Sequence, residues 1–113
     1  MKAQPMYVTD TGYKYCSVEE ATHVMIHLPG PLPYRIIPVI RRGTREGTNC
    51  WSWNGDVDKP TLKPSILSKG SSMVDGVVVD HVCHTWVNDG KVQFLSDCTH
   101  EFANQTIDLI DVD

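Results

Sequence analysis

The clearest alternation of apolar and polar positions runs from Val77 to His100. Two β-prone runs flank Asn88-Asp89-Gly90, a turn-forming triplet, and the whole stretch predicts a β-hairpin. Turn length decides which side chains share a face. A two-residue Asp89-Gly90 turn sets Val87 opposite Val92 and groups His81, Cys83, Cys98 and His100. A three-residue turn with Gly90 left-handed slips the pairing by one. Val82, His84, Trp86, Val92, Phe94, Cys98 and His100 then share a face. Apolar content favours the second register, because it collects Trp86 and Phe94 with two valines. Cys83 then points away unless a bulge at 83–84 lets both neighbours contribute.

The rest of the chain gives shorter signals. Residues 1–15 suggest a short strand leading into Cys16, and 17–23 fit one helical turn, with Ser17 as N-cap and Glu20 three residues on, or a loop. Val24 to Leu28 reads as a strand stopped by Pro29-Gly30-Pro31, with His27 at the surface or core edge. Pro38 demotes 36–40 to an edge strand or irregular segment. Gly43 to Asn49 reads as a loop, Asn54-Gly55 as a tight turn, and Pro60 and Pro64 rule out a regular helix. Trp51 and Trp53 are expected to cover the core. Residues 68–76, rich in Gly and Ser, read as a loop, and Thr106 to Val112 as a last strand. The prediction is a mainly β fold: one small domain over residues 1–113, a hairpin-based sheet with long irregular loops, little helix and a zinc site.

A chain of 113 residues can bury one modest core. It holds no apolar run near the roughly 18 residues a membrane span needs, and no leader pattern precedes Asp10. A cytoplasmic location is the expectation. The formal net charge of −4 argues against nucleic acid as a partner, since phosphate affinity rests on clustered Lys and Arg. Arg41, Arg42 and Arg45 form the one basic cluster and read as a solvated loop.

Candidate chemistry centres on cysteine and histidine. Three of five histidines and two of four cysteines fall within 79–100. Mixed Cys/His donors suit zinc, although no Cys-x-x-Cys is present, so a site must be assembled from distant pieces. Cys83, His84, Cys98 and His100 are the candidates from the hairpin, with Cys16 and His23 as the best partners from elsewhere. Ser65 stands in no nucleophile signature such as Gly-x-Ser-x-Gly and is not expected to be catalytic.

Several motifs in order resemble the small phage and bacterial proteins grouped as the domain of unknown function 6527 family. They are Tyr15-Cys16 with His23, Trp53-Asn54-Gly55-Asp56 with Pro60-Thr61 and Pro64-Ser65-Ile66, Cys83-His84, Asp89-Gly90, Phe94-Leu95-x-Asp97-x-x-His100, and Ala103-Asn104-Gln105-Thr106. The resemblance covers about residues 13–110. Family members open with Cys-Pro-x-Cys; here Ser17 replaces the proline and Glu19 the second cysteine. Asn104 replaces a family glycine, a mild change because Asn tolerates left-handed backbone.

The resemblance implies a zinc-dependent peptidase or isopeptidase acting on protein or ubiquitin-like tails. A metal-bound water would be the nucleophile, with Glu19 or Asp97 moving protons. With one thiolate lost at position 19, either Cys98 or a carboxylate oxygen compensates or the site keeps the open coordination position such a water needs. The competing expectation is a non-catalytic, zinc-stapled interaction module, such as a phage accessory protein that binds a host defence component. A metal-free β protein with reduced cysteines is the third.

Overall fold

The computed structural model describes residues 1–40 and 49–113. The expected basic cluster at Arg41, Arg42 and Arg45 and most of the 43–49 loop lie outside them. The described chain is mainly β, in two antiparallel sheets. The first has the order β2-β1-β3-β4: β1 is Ala3–Thr9, β2 Gly12–Tyr15, β3 His23–His27 and β4 Tyr34–Pro38. The second has the order β5-β6-β7-β8-β9: Ser52–Trp53, Leu62–Val74, Val77–Asn88, Lys91–Phe94 and Thr106–Asp108. Val18–Glu20 makes one 3-10 turn after Ser17, whose Oγ donates to the Glu20 carboxylate at 3.1 Å. Among the described residues no helix is long and apolar enough to cross a membrane.

Period-2 alternation builds the core. Val24 and Ile26 point inward from β3, Cys83, Thr85 and Val87 from β7, and Val92 and Phe94 from β8. One buried cluster joins residues of both sheets, from Ala3, Ile37 and Leu28 to Leu62, Ile66 and Leu109. Trp51 and Trp53 pack against it as expected. Backbone bonds tie the sheets together: Val57 O accepts the N–H groups of Lys2 and Ala3 at 2.7 and 3.0 Å, and Val39 bridges Trp51. Pro38 ends β4, which is an edge strand.

The hairpin register differs from the one the apolar count favoured. Asn88 pairs with Lys91, so Asp89-Gly90 is a two-residue turn, with φ of +51° and +77°. Both central residues are left-handed, the primed turn that matches strand twist. Val87 then faces Val92, and Thr85 faces Phe94. Trp86 falls on the outer face, 38% exposed. A large apolar side chain is thus tolerated on the outer face, where alternation places it. Gly90 is further fixed by crowding, since a Cβ there would lie 3.2 Å from Asp58 O and Lys59 Cα.

The expected loop at 68–76 is instead strand. β6 and β7 pair from Ile66↔Thr85 to Val74↔Val77, turning at Asp75-Gly76. Side chains support the ladder across the pair: Ser71 Oγ donates to Asp80 Oδ1 at 2.8 Å, and Ser72 Oγ bonds His81 Nε2 at 2.7 Å. Serine and glycine composition suggested a loop, but these cross-strand partners are supplied by a segment nine residues on.

Candidate active site

β6 departs from regular pairing just before it meets this hairpin. Leu62 pairs with Val87 and Ile66 with Thr85, so four residue steps on β6 span two on β7. The surplus forms a bulge at Lys63, Pro64 and Ser65, and bulges re-aim side chains. The Trp51 indole N–H donates to Ser65 O at 3.3 Å and anchors the bulge. Ile66 turns into the core, and Ser65 turns to the opposite face, beside His84 of β7.

The opposite side of β7 carries the segment after β8. Leu95 N–H donates to His84 O at 2.9 Å, and Thr99 N–H to Val82 O at 3.1 Å. Thr99 Oγ1 accepts Val82 N–H at 2.9 Å. These bonds zip residues 95–99 along the strand and place Asp97 against the imidazole. His84 Nδ1 lies 2.9 Å from Asp97 Oδ2, and His84 Nε2 lies 3.1 Å from Ser65 Oγ. With Asp97 as carboxylate, Nδ1 carries the proton and Nε2 accepts the Ser65 hydroxyl. Serine, imidazole and carboxylate thus form one hydrogen-bonded row. It opens to solvent: the His84 side chain is 27% exposed and that of Asp97 53%. Exposed Leu67, directly opposite His84, and half-exposed Trp86 flank it.

A second group lies on the inner face of the same strand. Ligand atoms of Cys83, Cys98 and His100 lie within 4.8 Å of one another, close enough to bind a metal. Both cysteines are buried, and the imidazole packs edge-on against Phe94, ring centroids 4.9 Å apart. Burial pushes the Cys83 thiol up, against the pull of the Arg35 guanidinium. Burial also pushes His100 below the usual imidazole range, with Glu101 opposing. Cys98 Sγ accepts His84 N–H and donates to His84 O, both at 3.3 Å. His100 Nδ1 accepts Phe102 N–H at 3.2 Å, while Nε2 is buried without a partner.

The expected zinc ligands are therefore divided. Cys83, Cys98 and His100 come together, while His81, which the two-residue register grouped with them, bonds Ser72 Oγ instead. His84 faces the other way and bonds Ser65 and Asp97 instead. Cys16, at the end of β2, and His23, on β3, stand outside the group. The His23 ring bonds Thr22 Oγ1 at 2.8 Å. Glu19 is exposed in the 3-10 turn of the other sheet, whereas Asp97 is at the site but on an imidazole. Ser65, set aside for want of a nucleophile signature, meets its partner 19 residues away across a bulge. The available signal was the adjacency of Cys83 and His84: strand alternation must send one inward and the other outward.

No curated protein and no solved structure matches the chain. A family model does match residues 32–95, from before β4 through β8, including Ser65 and His84. Its description names a serine protease, which overturns the expected zinc metalloprotease. The domain of unknown function 6527 is not the family that matches by name. With more than half the chain inside the match, the protein belongs to the family of bacterial ubiquitination-like system serine proteases, BubE.

Proposed function

We propose that the protein is a serine peptidase or isopeptidase that cleaves protein substrates at ubiquitin-like tails, with Ser65 as nucleophile. The hydrogen-bonded row Ser65–His84–Asp97 carries this reading. Ser65 Oγ attacks the scissile carbonyl while His84 Nε2 takes its proton. The imidazolium that forms is stabilised by Asp97 through Nδ1–H. His84 then returns the proton to the leaving amine, and an acyl-enzyme remains on Ser65. Water, deprotonated by the same Nε2, releases the acyl group. Leu67 and Trp86 offer apolar contact to an extended tail lying across the outer face. Zinc is the ion that two thiols and an imidazole favour. Its role in this reading is structural, and no step at Ser65 runs through it. The buried thiols of Cys83 and Cys98 suit a reducing compartment, and we place the protein in the cytoplasm.

A fluorophosphonate probe tests the assignment directly. It is expected to label the wild-type protein on Ser65, located by peptide mass spectrometry, and to leave Ser65→Ala unlabelled. Ser65→Ala is also expected to abolish release of a ubiquitin-like tail fused to a reporter. Cleavage at the wild-type rate by Ser65→Ala would overturn the proposal.

A further inference from the structure

We infer that Cys83, Cys98 and His100 bind a soft divalent cation of the zinc class, and that this ion fixes the alignment of His84 with Asp97. The inference about alignment rests on the serine-peptidase reading; the inference about binding does not.

Two thiols and one imidazole converge within 4.8 Å inside the protein, which is the chemistry of a zinc ligand set. A second observation concerns unmet hydrogen-bonding capacity. His100 Nε2 and Arg35 Nη2 are both buried without partners. A buried polar group left so is destabilising. Nδ1 of His100 already receives the Phe102 N–H, so Nε2 is the nitrogen left to meet an ion. Arg35, which interacts with Cys83, would face a thiolate instead of a thiol.

The proton balance is workable. Both thiols release their protons to solvent. The ring proton of His100 moves from Nε2 to Nδ1, which gives up the 3.2 Å contact with Phe102 N–H. Cys98 no longer donates to His84 O, but that carbonyl keeps the Leu95 N–H at 2.9 Å. In return, the His84 N–H gains a charged sulfur as acceptor, and charge-assisted bonds are roughly twice as strong as neutral ones. Two thiolates also neutralise a dication.

Position links the ion to the chemistry. Cys83 immediately precedes His84, and Cys98 immediately follows Asp97. On β7, alternation sends Cys83 inward and His84 outward. An ion held by both thiols would tie the strand to the 95–99 segment on one side. The His84–Asp97 hydrogen bond spans the same junction on the other. The ion is thus a positioning element for the pair, and it touches no reacting atom.

Elemental analysis of the full chain is expected to find a single transition-metal ion per molecule. Cobalt(II) loaded in its place is expected to give thiolate-to-metal charge-transfer absorption. Cys83→Ser and Cys98→Ser should lose both signals, and Ser65→Ala and Cys16→Ser should keep them. Stripping the ion from the wild type is expected to lower its melting temperature and to slow fluorophosphonate labelling of Ser65 at least ten-fold. The wild-type cobalt spectrum is decisive even if a cysteine variant does not fold. A chain that takes up no cobalt, or takes it up without thiolate absorption, overturns the site. Loss of the ion in Cys16→Ser overturns the ligand assignment. Labelling unchanged in the stripped protein overturns the positioning role while leaving the peptidase reading intact. Failure of Ser65 to label in the metal-loaded protein would instead count against that reading and leave the metal measurements valid.

Discussion

Asp97 reaches His84 Nδ1 at 2.9 Å from a solvent-exposed turn, and its carboxylate is what orients the ring. Asp97→Asn presents an amide that can donate to Nδ1 and so favours the tautomer with its proton on Nε2, where it cannot act as base. The expected cost is about 10⁴-fold in kcat, by analogy with the same change in chymotrypsin-type triads, and steady-state kinetics on a reporter fusion would measure it. An unchanged kcat would remove Asp97 from the mechanism. A different residue contributes to acid stability. Burial holds His23 below its ordinary value of 6.5. The unfolded chain therefore takes up that proton more readily than the folded one. The stability this group contributes is present above pH 6.5 and is lost as pH falls towards its folded value. Urea midpoints are expected to fall between pH 7.5 and pH 5.5, and His23→Gln to fall less steeply. Equal slopes in the two proteins would contradict this.

Among the elements, the Asp89-Gly90 turn has the widest consequences, because it sets the register that separates His84 from Cys83. Gly90 sits at φ +77° and is closed in by Asp58 and Lys59. Gly90→Ala must bear a left-handed side chain, about 1–2 kcal/mol, and push against backbone 3.2 Å away. Urea denaturation should show a loss of at least that size; an unmoved midpoint would mean that the turn relaxes freely. Phe94 lies opposite Thr85 in the same register and is 1% exposed, packed on His100 and Phe102. Phe94→Ala is expected to cost about 3–5 kcal/mol through cavity formation, read from the same denaturation curves. The strand character of β3 and β8 was legible in the sequence because one face is buried and alternation shows. The outer part of β6 was not, since its end is exposed on both faces and its Gly/Ser composition does not encode the partner strand nine residues on.

At the scale of the molecule, two sheets share one core, and the Ser65–His84–Asp97 row lies on the outer face of the larger one. The sequence by itself determined the mainly β character, through alternation, proline and glycine spacing and the lack of any helical period. It also marked the 79–100 hairpin as the carrier of chemistry, because so many histidines and cysteines lie close in chain. Only the tertiary structure decided what that chemistry is. Whether His84 joins Cys98 or Ser65 depends on one residue of register, and a slip of one exchanges the faces of a strand. Ser65 becomes a candidate nucleophile only when a bulge turns it towards an imidazole 19 residues away. Asp97 becomes its third member only when 95–99 zip along β7. These are long-range hydrogen bonds, set by packing across the sheet, and no local run of residues specifies them.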